Sequence, residues 1–121
     1  MSDAEAVNKV EKDGAVVYYL EQDIEVFRAE AMRDFLLRDI YENGYQNIVF
    51  NFNDVRFVDS TGIGLFVNLQ FSLKNGVSFR FCHMRNNIQN VFEYTNLLSY
   101  FTIDATEEDS LAAFAEGNTD P

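Results

Sequence analysis

Apolar positions recur along this chain with two periods, and the periods alternate. After Gly14, Ala15-Val16-Val17-Tyr18-Tyr19-Leu20 is a β-branched and aromatic run that predicts a strand. Over 24–43 the period changes. Ala29, Met32, Phe35, Leu36 and Ile40 recur at helical spacing, with Arg33, Asp34, Arg38 and Asp39 between them. Asn43-Gly44 closes that helix, because Gly accepts the left-handed geometry of a helix C-cap. Ile48 to Phe52 returns to strand character and is followed by an Asn53-Asp54 turn. Val55 to Val58 leads into Asp59-Ser60-Thr61-Gly62-Ile63-Gly64, and 61–74 reads as a second helix ending at Asn75-Gly76. Val77 to Met84 predicts a strand, Asn86 to Asn96 a third helix and Tyr100 to Ile103 a short final strand. Asp104 to Ala115 is an acidic segment with helical character, Leu111 and Phe114 forming its apolar side. Residues 1–13 mix Ala and Val with charges and read as a leader or as an edge strand around Val7 to Lys12; 116–121 reads as a tail.

Strands alternating with helical segments predict an α/β layer. The expected fold is a mixed, mostly parallel sheet of four to five strands with about four helices, in one domain spanning 14–115. The length of 121 residues fits one domain, and 47% apolar residues, including twelve Phe and six Tyr, supply one core.

Charge narrows the function classes. Twenty acidic and nine basic residues leave a formal charge of −11, which repels nucleic acid and anionic lipid. The acidity serves solubility first; its sharper reading is a partner with a basic surface. Cys82 is the only cysteine, so no internal disulfide and no thiolate zinc cluster is expected. Met1 to Val10 lacks the basic and apolar regions of a signal peptide, and no apolar run reaches ~18 residues. A cytoplasmic, membrane-free protein is the expectation.

The informative segment is Asp59 to Gly64. Asp, Ser and Thr all favour helix N-caps, and two glycines within one turn suggest close backbone approach. One reading is a capped helix start with glycines for tight packing. The other is an exposed Ser60 hydroxyl at a helix N-terminus, which favours added negative charge. The helix that follows is apolar on most sides. Leu65, Phe66, Leu69 and Leu73 form one stripe, and Ile63, Val67 and Phe71 a second. Such a helix is either wholly buried or keeps a second adhesive face for a partner.

Other chemistry is weak. Cys82 and His83 are adjacent in a predicted strand, so their side chains point to opposite faces and form no catalytic pair. Asp54 and Asp59 are explained by turn and cap roles. Gly62-Ile63-Gly64 is neither a dinucleotide fingerprint nor a P-loop. The Asp104 to Asp109 run lacks the spacing of a calcium loop and reads as a solvated acidic face. No catalytic residue, metal or cofactor is expected.

The run Val58-Asp59-Ser60-Thr61-Gly62-Ile63-Gly64 resembles the Asp-Ser-Ser/Thr-Gly-Leu/Ile-Gly motif of STAS domains, specifically the bacterial anti-sigma factor antagonists. The resemblance spans roughly 14–115. It includes the strand at Ile48 to Phe52, the approach Val55-Arg56-Phe57-Val58, the helix end Lys74-Asn75-Gly76, the segment Tyr94-Thr95-Asn96-Leu97 and the last helix start Thr106 to Leu111. It implies that Ser60 is phosphorylated by an anti-sigma factor that is also a serine kinase of the GHKL type. The unmodified form would bind that kinase and free a sigma factor, and a PP2C-type phosphatase would restore it. Asp59, Thr61, Gly62 and Gly64 would support the phosphosite. Asp23, in the expected partner-facing loop, and Leu65 and Leu69 are the candidate partner-binding residues, and the free protein is expected to be a monomer. Two positions depart from the family pattern. Leu20-Glu21-Gln22-Asp23-Ile24 lacks the usual glycine, and Asn96 stands where a Gly usually precedes Leu97. A constitutive interaction or scaffold domain, with Ser60 only as a cap, is the alternative. A small α/β enzyme is a third reading, without a coherent catalytic set.

Overall fold

A computed structural model of the protein describes residues 7–21, 23–73, 76–96 and 101–117. The elements are β1 (Val7–Lys12), β2 (Ala15–Leu20), α1 (Val26–Asn43), β3 (Asn47–Asn51), α2 (Ser60–Leu73), β4 (Ser78–Cys82), α3 (Asn86–Tyr94), β5 (Thr102–Asp104) and α4 (Glu107–Ala115). The strands form one sheet in the order β1-β2-β3-β4-β5. β1 and β2 are an antiparallel hairpin; β2 to β5 run parallel. A parallel neighbour requires a crossover, and α1, α2 and α3 supply the three crossovers. The mixed, mostly parallel sheet with four helices agrees with the pattern of periods along the sequence.

The period of two along the strands divides the core. Val16, Tyr18 and Leu20, Ile48 and Phe50, and Phe79 and Phe81 face α1, α2 and α3. Ala15 and Val17, Val49 and Cys82 face the other way, where Leu111 and Phe114 of α4 cover them. The phenylalanines form a continuous stack across the first face. Tyr18, Phe50 and Phe81 are register partners on neighbouring strands, with ring centroids 5.9 and 5.5 Å apart. Phe66 of α2 meets both Phe50 and Phe81 edge-on. These offset and edge geometries are the ones the aromatic quadrupole favours.

Several boundaries differ from the sequence expectation, each for a local reason. Helix α1 begins at Val26 because Ile24 forms a parallel bridge with Val58: Ile24 N–H donates to Phe57 O, and Asp59 N–H donates to Ile24 O. Gly44, at φ 66°, ends α1 as expected. Strand β4 stops at Cys82 because His83 turns into the left-handed region at φ 55°. Helix α3 stops at Tyr94, and Asn96 takes φ 62°. Asn tolerates this conformation better than most side chains, which accounts for its standing in a glycine's place. The last strand is Thr102–Asp104 rather than Tyr100 to Ile103. Tyr100 and Leu97, Lys74 and Asn75, Gln22, residues 1–6 and the tail 118–121 lie outside the described residues. Among the described residues no helix is long and apolar enough to cross a membrane.

The acidic stretch before and within α4 is not a solvated face. Asp104 forms a two-pronged ion pair with Arg80, with Nε–Oδ2 at 2.8 Å, and Ser110 Oγ donates to the same carboxylate at 2.7 Å. Glu107 is buried, paired with Lys12 at 2.6 Å, and accepts from Asn51 Nδ2 at 3.1 Å. Thr106 caps the helix through Asp109 N–H. These acids hold α4 against β1, β3 and β4, and only Glu108 and Asp109 of the run stay exposed.

Candidate functional site

The β2–α1 and β3–α2 loops leave the sheet at the carboxyl ends of their strands, the edge where open α/β folds place their sites. The Ile24–Val58 bridge ties the two loops together, so the first turns of α1 and α2 lie side by side. Asp59 uses both of its carboxylate oxygens on that arrangement. Oδ1 accepts from Gly62 N–H at 2.8 Å, and Oδ2 accepts from Val26 N–H at 3.3 Å. One side chain therefore caps the N-termini of two helices, and Glu25, the residue in the cap position of α1, makes no side-chain cap bond.

Of the two expectations for Ser60, the arrangement matches the exposed hydroxyl at a helix N-terminus rather than the cap. Asp59 is the cap, and Ser60 is the first helical residue of α2, with its side chain exposed. Its hydroxyl thus faces solvent at the positive end of the helix dipole, beside a carboxylate already committed to two backbone N–H groups. Thr61, the next residue, is also exposed.

The two glycines separate. A Cβ on Gly62 would lie 2.5 Å from Ile24 O and 2.9 Å from Val58 Cγ1, so the bridge between the loops requires a glycine there. This is the close backbone approach expected from the sequence. A Cβ on Gly64 would meet nothing within 4 Å.

The candidate partner-binding residues fall differently from expectation. Asp23 Oδ1 accepts from Arg56 N–H at 3.1 Å and so staples the two loops. Leu65 and Leu69 are 3% and 0% exposed and packed into the main core; Leu69 offers no surface to a partner, and Leu65 only the edge that lines the cleft between α1 and α2. The stripe they belong to faces inward because α2 lies across the Phe50–Phe81 stack. The outward side of α2 carries Ser60, Thr61, Gly64, Asn68 and, at 70% exposure, Phe71. The sequence missed the exposed apolar residues on the joined loops and the first turn of α1, Val26, Phe27 and Phe57, of which Phe27 is 87% exposed. Phe27 is in the first turn of α1, off its buried stripe, and Phe57 is in the β3–α2 loop, so the apolar period marks neither.

Among the described residues no cluster of three His, Cys, Asp or Glu side chains is placed to hold a metal. Cys82 is fully buried beneath α4, and burial first, with the nearby Glu107 and Asp104 carboxylates, pushes its thiol up to about 12. His83 Nε2 accepts from Glu107 N–H at 3.3 Å, a second cap on α4.

A family model described as the STAS domain matches residues 6–110. Solved structures share the fold. A candidate anti-sigma factor antagonist from Thermotoga maritima is 20% identical, with 91% of this chain and 95% of that chain covered at a TM-score of 0.83. An anti-sigma-factor antagonist (STAS) domain protein from Planctomyces limnophilus is 18% identical, covering 90% and 97% at a TM-score of 0.79. The Bacillus cell fate determinant SpoIIAA in its phosphorylated form is 22% identical, covering 90% and 99% at a TM-score of 0.66. At such identities the likeness speaks for the fold.

Proposed function

The chain belongs to the STAS domain family, and from that premise we propose that it is a non-enzymatic anti-sigma factor antagonist switched by phosphate on Ser60. The unmodified protein binds an anti-sigma factor that is also a serine kinase of the GHKL type, and binding frees a sigma factor in the cytoplasm. ATP belongs to that kinase. Phosphorylated Ser60 binds it poorly, and a PP2C-type phosphatase removes the phosphate. The observation that carries this reading is the exposed Ser60 side chain at the start of α2, next to the first turn of α1 and the joined loops, which carry exposed Val26, Phe27 and Phe57. A phosphate there adds about −1.5 to −2 charges at neutral pH. It would stand against the Asp59 carboxylate and in the middle of an apolar contact surface, so it opposes association directly.

A constitutive interaction or scaffold role is the second reading. Tyr41, Phe71 and Tyr94 are exposed near the carboxyl ends of α1, α2 and α3, at the end of the helices away from Ser60. They favour a contact that a phosphate on Ser60 would not reach.

The deciding experiment incubates the protein with the GHKL-type serine kinase of the same cell and MgATP, then maps the modified residue by mass spectrometry. One phosphoryl group on Ser60, with Ser60→Asp binding that kinase at least about tenfold more weakly than wild type, is the expected result. An unmodified Ser60 together with wild-type binding by Ser60→Asp would leave the scaffold reading standing.

A further inference from the structure

Gly64 has no reason within this chain to be a glycine. Its φ is not positive, and a Cβ there would meet nothing within 4 Å, in contrast to Gly62, where one would lie 2.5 Å from Ile24 O. Glycine inside a helix also weakens it relative to alanine. The missing side chain therefore serves something outside the chain.

What lies beside Gly64 is a groove of about 280 Å³ between α1 and α2. Buried Ala29 and Leu65 and half-exposed Val26 give it apolar walls. Glu30, Arg33 and Asn68 form its rim. Arg33 is held by Asp34 at 2.8 Å, whereas the Glu30 carboxylate is exposed. Ser60 stands one helical turn before Gly64 on the same exposed face of α2.

We propose, resting on the function given above, that this groove receives an aliphatic side chain of the partner kinase, flanked by a lysine or arginine that meets Glu30, and that Gly64 determines whether the anchor enters. Two features select this occupant. The walls are apolar, the exposed Glu30 carboxylate stands on the rim while the Arg33 charge there is taken up by Asp34, and the chain's charge of −11 favours a cationic segment around the anchor. A second copy of this acidic chain would be repelled. Exposed Val26 and Thr61 both line the groove, and Thr61 is the neighbour of Ser60, so the surface at Ser60 is continuous with it. A phosphate on Ser60 would then stand at the mouth of the groove, above an apolar anchor and next to the unpaired carboxylate of the rim.

The test compares full-length wild type, Gly64→Ala, Gly64→Leu and Glu30→Arg in calorimetric titrations against the purified GHKL-type kinase with nucleotide, alongside thermal melts. Gly64→Ala is expected to raise Tm by about 3–6 °C while weakening binding about tenfold. Gly64→Leu is expected to weaken it further, and Glu30→Arg to weaken it with loss of part of the salt dependence. Stability and binding thus move in opposite directions at one residue, which a structural role would not produce. Wild-type binding matched by both Gly64 variants would overturn the groove alone and leave the switch in place. No binding by wild type would overturn the proposed function and the groove with it.

Discussion

Asp59 carries two helix ends on one carboxylate, and Ser60 beside it carries none. The division has an energetic consequence. Removing a helix N-cap costs about 0.5–2 kcal/mol, so Asp59→Ala should lower unfolding free energy by about 1–2 kcal/mol, with the Val26 bond contributing the smaller share because it is longer. Ser60→Ala should change stability by no more than about 0.5 kcal/mol, as surface substitutions do. Urea unfolding of the two variants checks this, and equal losses would return the cap to Ser60. The distinction matters for reading function: a Ser60 variant that changes partner binding does so without unsettling α2. Gly62 belongs to the same unit, since it lets α2 approach Ile24 closely enough for Asp59 to reach Val26.

At the scale of elements, α4 is held to the sheet by charge as well as by Leu111 and Phe114. Burial alone would push the Asp104 carboxyl up, but the bonds from Arg80 and Ser110 outweigh it and hold the carboxyl below its usual range. Glu107 follows the same balance: burial raises it, and Lys12, Tyr19 and Asn51 lower it further than burial lifts it. Groups whose folded values are depressed stabilise fully above their unfolded values and lose that contribution as pH falls through the folded ones. The stability contributed by Asp104 and Glu107 is therefore complete at neutral pH and lost below about pH 4. Amide protection factors in α4, corrected for the intrinsic pH dependence of exchange, should fall on acidification before those in β3 or β4, and simultaneous loss of protection throughout would contradict this. Arg80→Leu leaves Asp104 without its cation in a half-buried place, and should cost about 3 kcal/mol at neutral pH. Its destabilisation should shrink in acid, where the carboxylate is neutral.

Over the whole molecule, the core and the charge pull in opposite directions. The aromatic stack and the two clusters on either side of the sheet drive compaction. Twenty acids against nine bases oppose it through self-repulsion. The more exposed ion pairs, such as Lys9–Asp39 and Arg33–Asp34, both at 2.8 Å, contribute little. Screening should therefore relieve more repulsion than it costs in pairing, and added sodium chloride should raise Tm. A fall in Tm with salt would show that the pairs outweigh the excess charge. The same excess bears on recognition, since it steers a partner with basic contact groups toward any face of the protein and leaves the apolar and glycine-lined surface beside Ser60 to select among them.

The sequence by itself determined the type and order of the elements, because the period of apolar residues dictates which face each must bury. Val16, Tyr18 and Leu20 alternate, Ala29, Met32, Leu36 and Ile40 recur by turns, and Gly44 can end a helix where other residues resist. The motif at Asp59 to Gly64 was legible as a helix start for the same local reason. Only the tertiary structure decided which residue of that motif serves as cap, since Asp59 reaches Val26 through a bridge formed between segments far apart in the chain. It also decided that Leu65 and Leu69 point inward, because a helix apolar on most sides takes its orientation from the stack it lies on. Finally, it buried Glu107 and half-buried Asp104, whose cations come from β1 and β4: an acidic run looks solvated until the fold brings Lys12 and Arg80 to meet it.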